Sequence, residues 1–128
     1  MGEPIRILVV EDNLLVAMAL EQTLTEAGYV VTVADTNAAA RAAAGSAGLT
    51  AALVDYHLPD GNSLELCAQL RGAGICVALI TGLDRTSAES LRGFDRVFYK
   101  PVDEPGLLAW LSEITDAVPN EIPTRASR

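Results

Sequence analysis

Positive charge is scarce in this sequence: nine lysines and arginines face 17 aspartates and glutamates, a net charge of −8 at pH 7 over 128 residues. The basic residues are scattered rather than clustered, which argues against nucleic acid or an anionic membrane as a direct partner. A group of acids built to hold a cation would account for part of the excess. Cysteine is sparse as well. Cys67 and Cys76 sit in apolar contexts without a C-x-x-C pattern, so they read as buried cytosolic thiols rather than a disulfide or a thiolate metal site. Long apolar runs are missing too. The longest uncharged stretch, residues 42–54, has 13 residues broken by Gly45, Ser46, Gly48 and Thr50, too short and too polar to span a bilayer. Met1-Gly2-Glu3-Pro4 lacks the regions of a signal peptide, and Ile5-Arg6 does not supply the Ser/Thr that myristoylation at Gly2 calls for. The expected location is the cytoplasm.

What is present fits one domain. Half the residues are apolar and a fifth charged, the balance of a soluble globular chain long enough to bury a core. Five short apolar runs, 5–10, 29–34, 51–54, 75–80 and 97–99, alternate with helix-like segments. Near-continuous rather than alternating apolarity suits strands covered on both faces, as in a parallel sheet. Segment 13–27 places Ala17, Leu20, Leu24 and Ala27 on one helical face, with Asn13 as N-cap and Gly28 beyond the end. Helices are also expected over the alanine-rich 37–44, from Asn62-Ser63 to Gly72, and over 104–118, where Leu107, Leu111, Ile114 and Val118 share a face. The expected fold is α/β, a (βα)5 doubly wound five-stranded parallel sheet occupying residues 1–118, with 119–128 a disordered tail.

In such sheets the site lies at the carboxyl ends of the strands. Glu11-Asp12 follow the first run, Asp55 ends the third, Thr81 follows the fourth and Lys100-Pro101 the fifth. Each residue type has a task if a phosphoryl group is transferred. Asp55 can be the nucleophile that forms an aspartyl-phosphate, and Glu11 and Asp12 offer the hard oxygens that Mg²⁺ takes. A metal there offsets repulsion between Asp55 and an incoming anion. Lys100 is a compact charge for Asp55 or the phosphoryl oxygens, and Thr81 a hydroxyl donor that engages only after phosphorylation. Taken singly, each has a bland reading. An acidic pair is usually a helix start, Asp55 can open a turn-rich stretch, Thr81-Gly82 is a loop, and a lone lysine is surface. Their common place on one sheet edge favours the joint reading.

The set Val9-Val10-Glu11-Asp12-Asn13, Leu53-Val54-Asp55, Pro59, Gly61, Thr81 and Lys100-Pro101 resembles the receiver domains of response regulators across residues 5–117. The resemblance implies a flavodoxin-like receiver fold. It makes Asp55 the phosphoacceptor, Asp12 a direct Mg²⁺ ligand, Glu11 a ligand through water, and the backbone carbonyl of His57 a further ligand. Thr81 and Lys100 take the switch and phosphoryl-contact roles, and the bond before Pro101 is expected cis. The implied function is that of a stand-alone receiver in a two-component phosphorelay. It would be charged by a phosphohistidine of a sensor histidine kinase or a histidine phosphotransfer protein, and would signal through protein–protein contact or onward relay. It would be a phosphoacceptor rather than a turnover enzyme. The His57 imidazole, able to act near neutrality, and Gly82, which leaves room for a water, are candidate modulators of dephosphorylation; the plain alternative is an exposed loop imidazole.

Two departures stand out. The third residue before Lys100, aromatic in ordinary receivers, is Val97, with Phe98 and Tyr99 following. Only 18 residues separate Thr81 from Lys100, and the polar segment 84–96 has Leu91 and Phe94 as its main apolar anchors, so a short or mobile fourth helix is expected. This shortening, with Leu79-Ile80-Thr81-Gly82-Leu83, resembles the "FAT GUY" receivers associated with HWE-type kinases. Other classes fit less well. A haloacid-dehalogenase-type phosphatase needs a second Asp where His57 stands. A nucleotide- or flavin-binding domain needs a phosphate-cradling Gly loop after the first strand, where Glu11-Asp12 would repel phosphates.

Overall fold

The computed structural model describes residues 4–45, 48–88 and 90–116. The readings of residues 1–3, of Val118 and of the 119–128 tail lie outside the described residues. In chain order the elements are β1 (Arg6–Val10), α1 (Leu14–Glu26), β2 (Val30–Ala34), α2 (Asn37–Ala44), β3 (Ala51–Asp55), β4 (His57–Leu58) and β5 (Gly61–Asn62). They continue with α3 (Leu64–Gly72), β6 (Cys76–Thr81), α4 (Arg85–Ala88), β7 (Arg96–Tyr99) and α5 (Glu104–Asp116). Five strands form one parallel sheet ordered β2-β1-β3-β6-β7, while β4 and β5 pair as a small antiparallel hairpin. The expected five-stranded doubly wound α/β architecture is therefore the observed one.

Strand alternation explains why the central runs read as continuously apolar. Ile7, Val9, Leu53, Ala78 and Ile80 pack toward α1 and α5 with Leu20, Leu24, Leu107 and Leu111. Leu8, Val10, Val54, Val77 and Leu79 pack on the other face with Leu66, Cys67 and Leu70 of α3. Each fully buried Leu or Ile stabilises the fold by roughly 1.5–3 kcal/mol, so the sheet is a rigid frame that fixes its strand ends. The second run differs: β2 is an edge strand, and Val30 and Val33 remain 39% exposed.

Local chemistry sets the helix starts. The Asn13 side chain accepts from the amides of Leu15 and Val16 at 3.0 and 3.2 Å, capping α1 as its position predicts. Beyond α1, Gly28 takes φ 101°, a left-handed conformation that suits glycine. Ala17, Leu20 and Leu24 are buried as expected, whereas Ala27, the last of that face, is exposed. Thr36 caps α2 through the amide of Ala39 at 3.0 Å. In α5 the buried face is Leu107, Trp110 and Leu111, with Trp110 edge-on to Phe98.

One boundary shifts slightly and one expectation is met. Helix α3 begins at Leu64 rather than at Asn62-Ser63, because Asn62 belongs to the hairpin, whose Pro59-Asp60 turn is closed by Gly61 at φ 124°. The fourth helix is the single turn α4, matching the expectation of a short one, and Leu91 and Phe94 anchor the segment after it, half-buried on the α3 side.

Candidate functional site

Glu11, Asp12, Asp55, Thr81 and Lys100 all sit at or just past the carboxyl end of a strand of the parallel sheet. Glu11 follows β1 directly, and its amide donates to the carbonyl of Ala34 at 3.0 Å, which continues the strand path. Its side chain is buried, and Oε2 accepts from the amide of Asn13 at 3.0 Å. Asp12, next along, is exposed. Asp55 is the last residue of β3 and is 5% exposed. Glu11, Asp12 and Asp55 each bring a carboxylate oxygen into one group lying within 4.8 Å.

Lys100 follows β7, and its amide donates to the carbonyl of Thr81 at 2.9 Å. Its ammonium donates to Asp55 Oδ2 at 3.0 Å and stands 3.5 Å from Glu11 Oε1. The Lys100-Pro101 bond is cis, as the resemblance implies. Thr81 ends β6 and is fully buried; its Oγ1 accepts from the amide of Leu83 at 2.9 Å. The register places Ile80 opposite Asp55 and Tyr99 opposite Thr81. Gly82 follows in an exposed position. His57 is exposed on β4, its ring edge-on to Tyr56 at 4.6 Å.

Two shifts describe the electrostatics. Burial raises the Glu11 carboxyl above its ordinary pKa; the amide of Asn13 opposes this, and the neighbouring Asp55 adds to it. Burial works against the Lys100 ammonium, but its hydrogen bond to Asp55 and the charges of Asp55 and Glu11 outweigh it, so its pKa rises. Glu11 Oε1 is buried with no hydrogen-bond partner, an unusual position for a carboxylate oxygen. This oxygen, ion-paired with Lys100 at 3.5 Å but accepting no hydrogen bond, joins two further carboxylates in a donor set that suits a hard divalent cation such as Mg²⁺.

The sequence reading missed three residues around the acceptor. Ser63, taken for a helix start, donates from Oγ to the carbonyl of Asp55 at 2.7 Å. Asp60 accepts from the amides of Asn37 and Ala38 at 2.9 and 3.1 Å. Asn37 in turn donates to Asp60 Oδ1 and to the carbonyls of Gly61 and Asn62. These bonds join residues eight to 25 positions apart, and no local pattern announces them.

Residues 7–112 match the profile of the response regulator receiver domain. Among curated relatives, response regulator MprA of Mycobacterium tuberculosis (strain ATCC 25618 / H37Rv) is 34% identical over 93 residues, 71% of this chain and 40% of that protein. The probable transcriptional regulatory protein SilR of Salmonella typhimurium is 38% identical over 80 residues, 61% of this chain and 35% of its own length. The chain thus spans 35% to 40% of the length of these relatives. A CheY-like response regulator receiver domain protein from Methanospirillum hungatei JF-1 superposes with a TM-score of 0.82 at 28% identity, covering 89% of this chain and 95% of that one. The receiver domain of the TMAO respiratory system response regulator TorR gives 0.77 at 28% identity, with 88% and 97% covered.

Proposed function

The chain belongs to the response regulator receiver domain family, a component of two-component signalling, and from that premise we propose that it accepts a phosphoryl group on Asp55 in a Mg²⁺-dependent reaction. The observation that carries this is the gathering of Glu11, Asp12 and Asp55 within 4.8 Å with Lys100 on Asp55 at 3.0 Å. The donor is a phosphohistidine of a sensor histidine kinase or histidine phosphotransfer protein, and the subgroup resemblance singles out HWE-type kinases. Leu14, Leu15 and Met18 are 54% to 76% exposed on the first turns of α1, next to the acids, and supply the apolar surface a protein donor needs.

In this reading an Asp55 oxygen attacks phosphorus in line. The O–P bond forms as the P–N bond breaks, and the leaving electron pair stays on the imidazole nitrogen. Asp12, Asp55, the His57 carbonyl and Glu11 through water would hold Mg²⁺, which when bound supplies positive charge against the oxygens of the transferring group. Lys100, already on Asp55, moves to a phosphoryl oxygen as the acceptor becomes an acyl phosphate. Thr81 exchanges its contact with the Leu83 amide for a hydrogen bond to another phosphoryl oxygen, and the loop carrying α4 responds. Val97 has no ring to rotate, so the output is the altered order of this loop, read by a protein partner or followed by onward relay. The chain acts as a phosphoacceptor in the cytoplasm and not as a turnover enzyme. Incubation with autophosphorylated, radiolabelled histidine kinases tests the reading: label should pass to the chain only with Mg²⁺. Transfer that is independent of Mg²⁺ would refute it.

A further inference from the structure

A serine directly before a helix ordinarily caps it by accepting from the amide two or three residues on. Ser63 precedes α3 and makes no such bond; its φ of −103° and ψ of 14° are not those of an N-cap. The amide of Leu64, the next residue, donates to Asn62 Oδ1 at 3.1 Å. The Ser63 side chain is fully buried, and Oγ donates to the carbonyl of Asp55 at 2.7 Å while the Ser63 amide donates to the carbonyl of Tyr56 at 3.0 Å. A local rule broken at one residue, with the freed group committed to the acceptor's own backbone, marks a functional constraint.

We infer that Ser63 is a positioning residue: it fixes the end of β3 and the hairpin after it so that Asp55 and the metal ligands stay in register. This deepens the proposed Mg²⁺-dependent phosphoacceptor function and rests on it. Asp55 is where the sheet stops supporting the chain; past the bond from the Tyr56 amide to the Ile80 carbonyl at 2.8 Å, the backbone leaves β6 and turns into the hairpin. Two ties then hold that hairpin. Its tip is fixed by the Asp60 carboxylate on the first amides of α2 and by the buried Asn37 amide group. Its base is tied by Ser63, through the consecutive carbonyls of Asp55 and Tyr56. His57, whose carbonyl is the further ligand in the proposed site, lies between the two ties. Metal sites demand ligand placement to a fraction of an ångström, and supporting hydrogen bonds supply it.

The test is the Mg²⁺ dissociation constant of the full chain by titration calorimetry, for wild type, Ser63→Ala, Ser63→Gly and Asn62→Ala. Both Ser63 variants should bind about tenfold more weakly, the scale of losing an outer support. Asn62→Ala, which removes the side-chain bond to the Leu64 amide without touching the acceptor, should bind like wild type. A merely structural Ser63 would lower melting temperature in its variants and leave the metal affinity alone. Ser63 variants within about twofold of wild type, where supports of this kind are worth tenfold or more, would overturn the inference, as would failure of both to fold. Absence of Mg²⁺ binding by wild type would instead strike at the proposed function itself.

Discussion

Lys100 Nζ donates a 3.0 Å hydrogen bond to Asp55 and stands 3.5 Å from Glu11, so one ammonium serves two nearly buried carboxylates from different strands. Asp12 brings a third carboxylate oxygen within 4.8 Å of those two. Burial, with the neighbouring Asp55 adding to it, raises the Glu11 carboxyl above its ordinary pKa against the opposing Asn13 amide.

The sign of that shift gives a pH-dependent expectation. Glu11 has a folded pKa above its ordinary 4.5, so the stability it contributes is fully present below about pH 4.5 and is lost as pH rises through the folded value. Mg²⁺ binds the ionised set and acts in the opposite direction. Its effect on melting should therefore be small near pH 4.5 and grow toward neutrality. At a hundred times its dissociation constant it contributes about 2.7 kcal/mol, a rise on the order of 10 °C for a chain of this size. Asp12→Ala should remove most of the rise. A Mg²⁺ effect equal at all pH values, or unchanged in Asp12→Ala, would contradict the acid cluster as its site.

Motion should concentrate in the α4 segment. Helix α4 is one turn, anchored by buried Ala88 and half-buried Leu91 and Phe94. Asp95, by contrast, exchanges 2.8 Å bonds with the backbone of Val77 and pairs with Arg71 at 3.2 Å. Hydrogen exchange should be fast at Arg85, Ser87 and Leu91 and slow at Val77 and Asp95. Phosphorylation should slow the first group as Thr81 leaves the Leu83 amide. Strong protection of the α4 amides before phosphorylation would remove this loop as the output element.

His57 offers a sharper kinetic test. Its side chain is exposed beside Tyr56, where an imidazole can hydrogen-bond the water that hydrolyses an aspartyl-phosphate. Decay of phospho-Asp55 at fixed Mg²⁺ should be slower in His57→Ala than in wild type. Equal decay at every pH would leave His57 contributing its carbonyl alone.

The layout of Glu11, Asp12, Asp55, Thr81 and Lys100 was legible because strand ends are legible: central strands buried on both faces read as unbroken apolar runs, and the next residue falls on the functional edge. Asn13 was equally readable, since capping is a contact between neighbours. The edge position of β2 was not, because strand order leaves no mark on periodicity. Asn-Ser before an apolar run was a sound signal, since α3 starts directly after Ser63; the bond from Ser63 to Asp55 eight residues back leaves no such local mark. Tyr99, lying under Arg85 of α4 at 4.5 Å, likewise owes its place to a strand register that composition does not reveal.

The central claim is chemical, and one measurement addresses it directly. The intact chain, incubated with Mg²⁺ and acetyl phosphate, should gain a single phosphoryl group by mass spectrometry. The adduct should be labile to alkali, depend on Mg²⁺, and map to the peptide containing Asp55. Asp55→Asn should keep its fold and gain no phosphoryl group. Modification of Asp55→Asn at the wild-type rate would contradict the account.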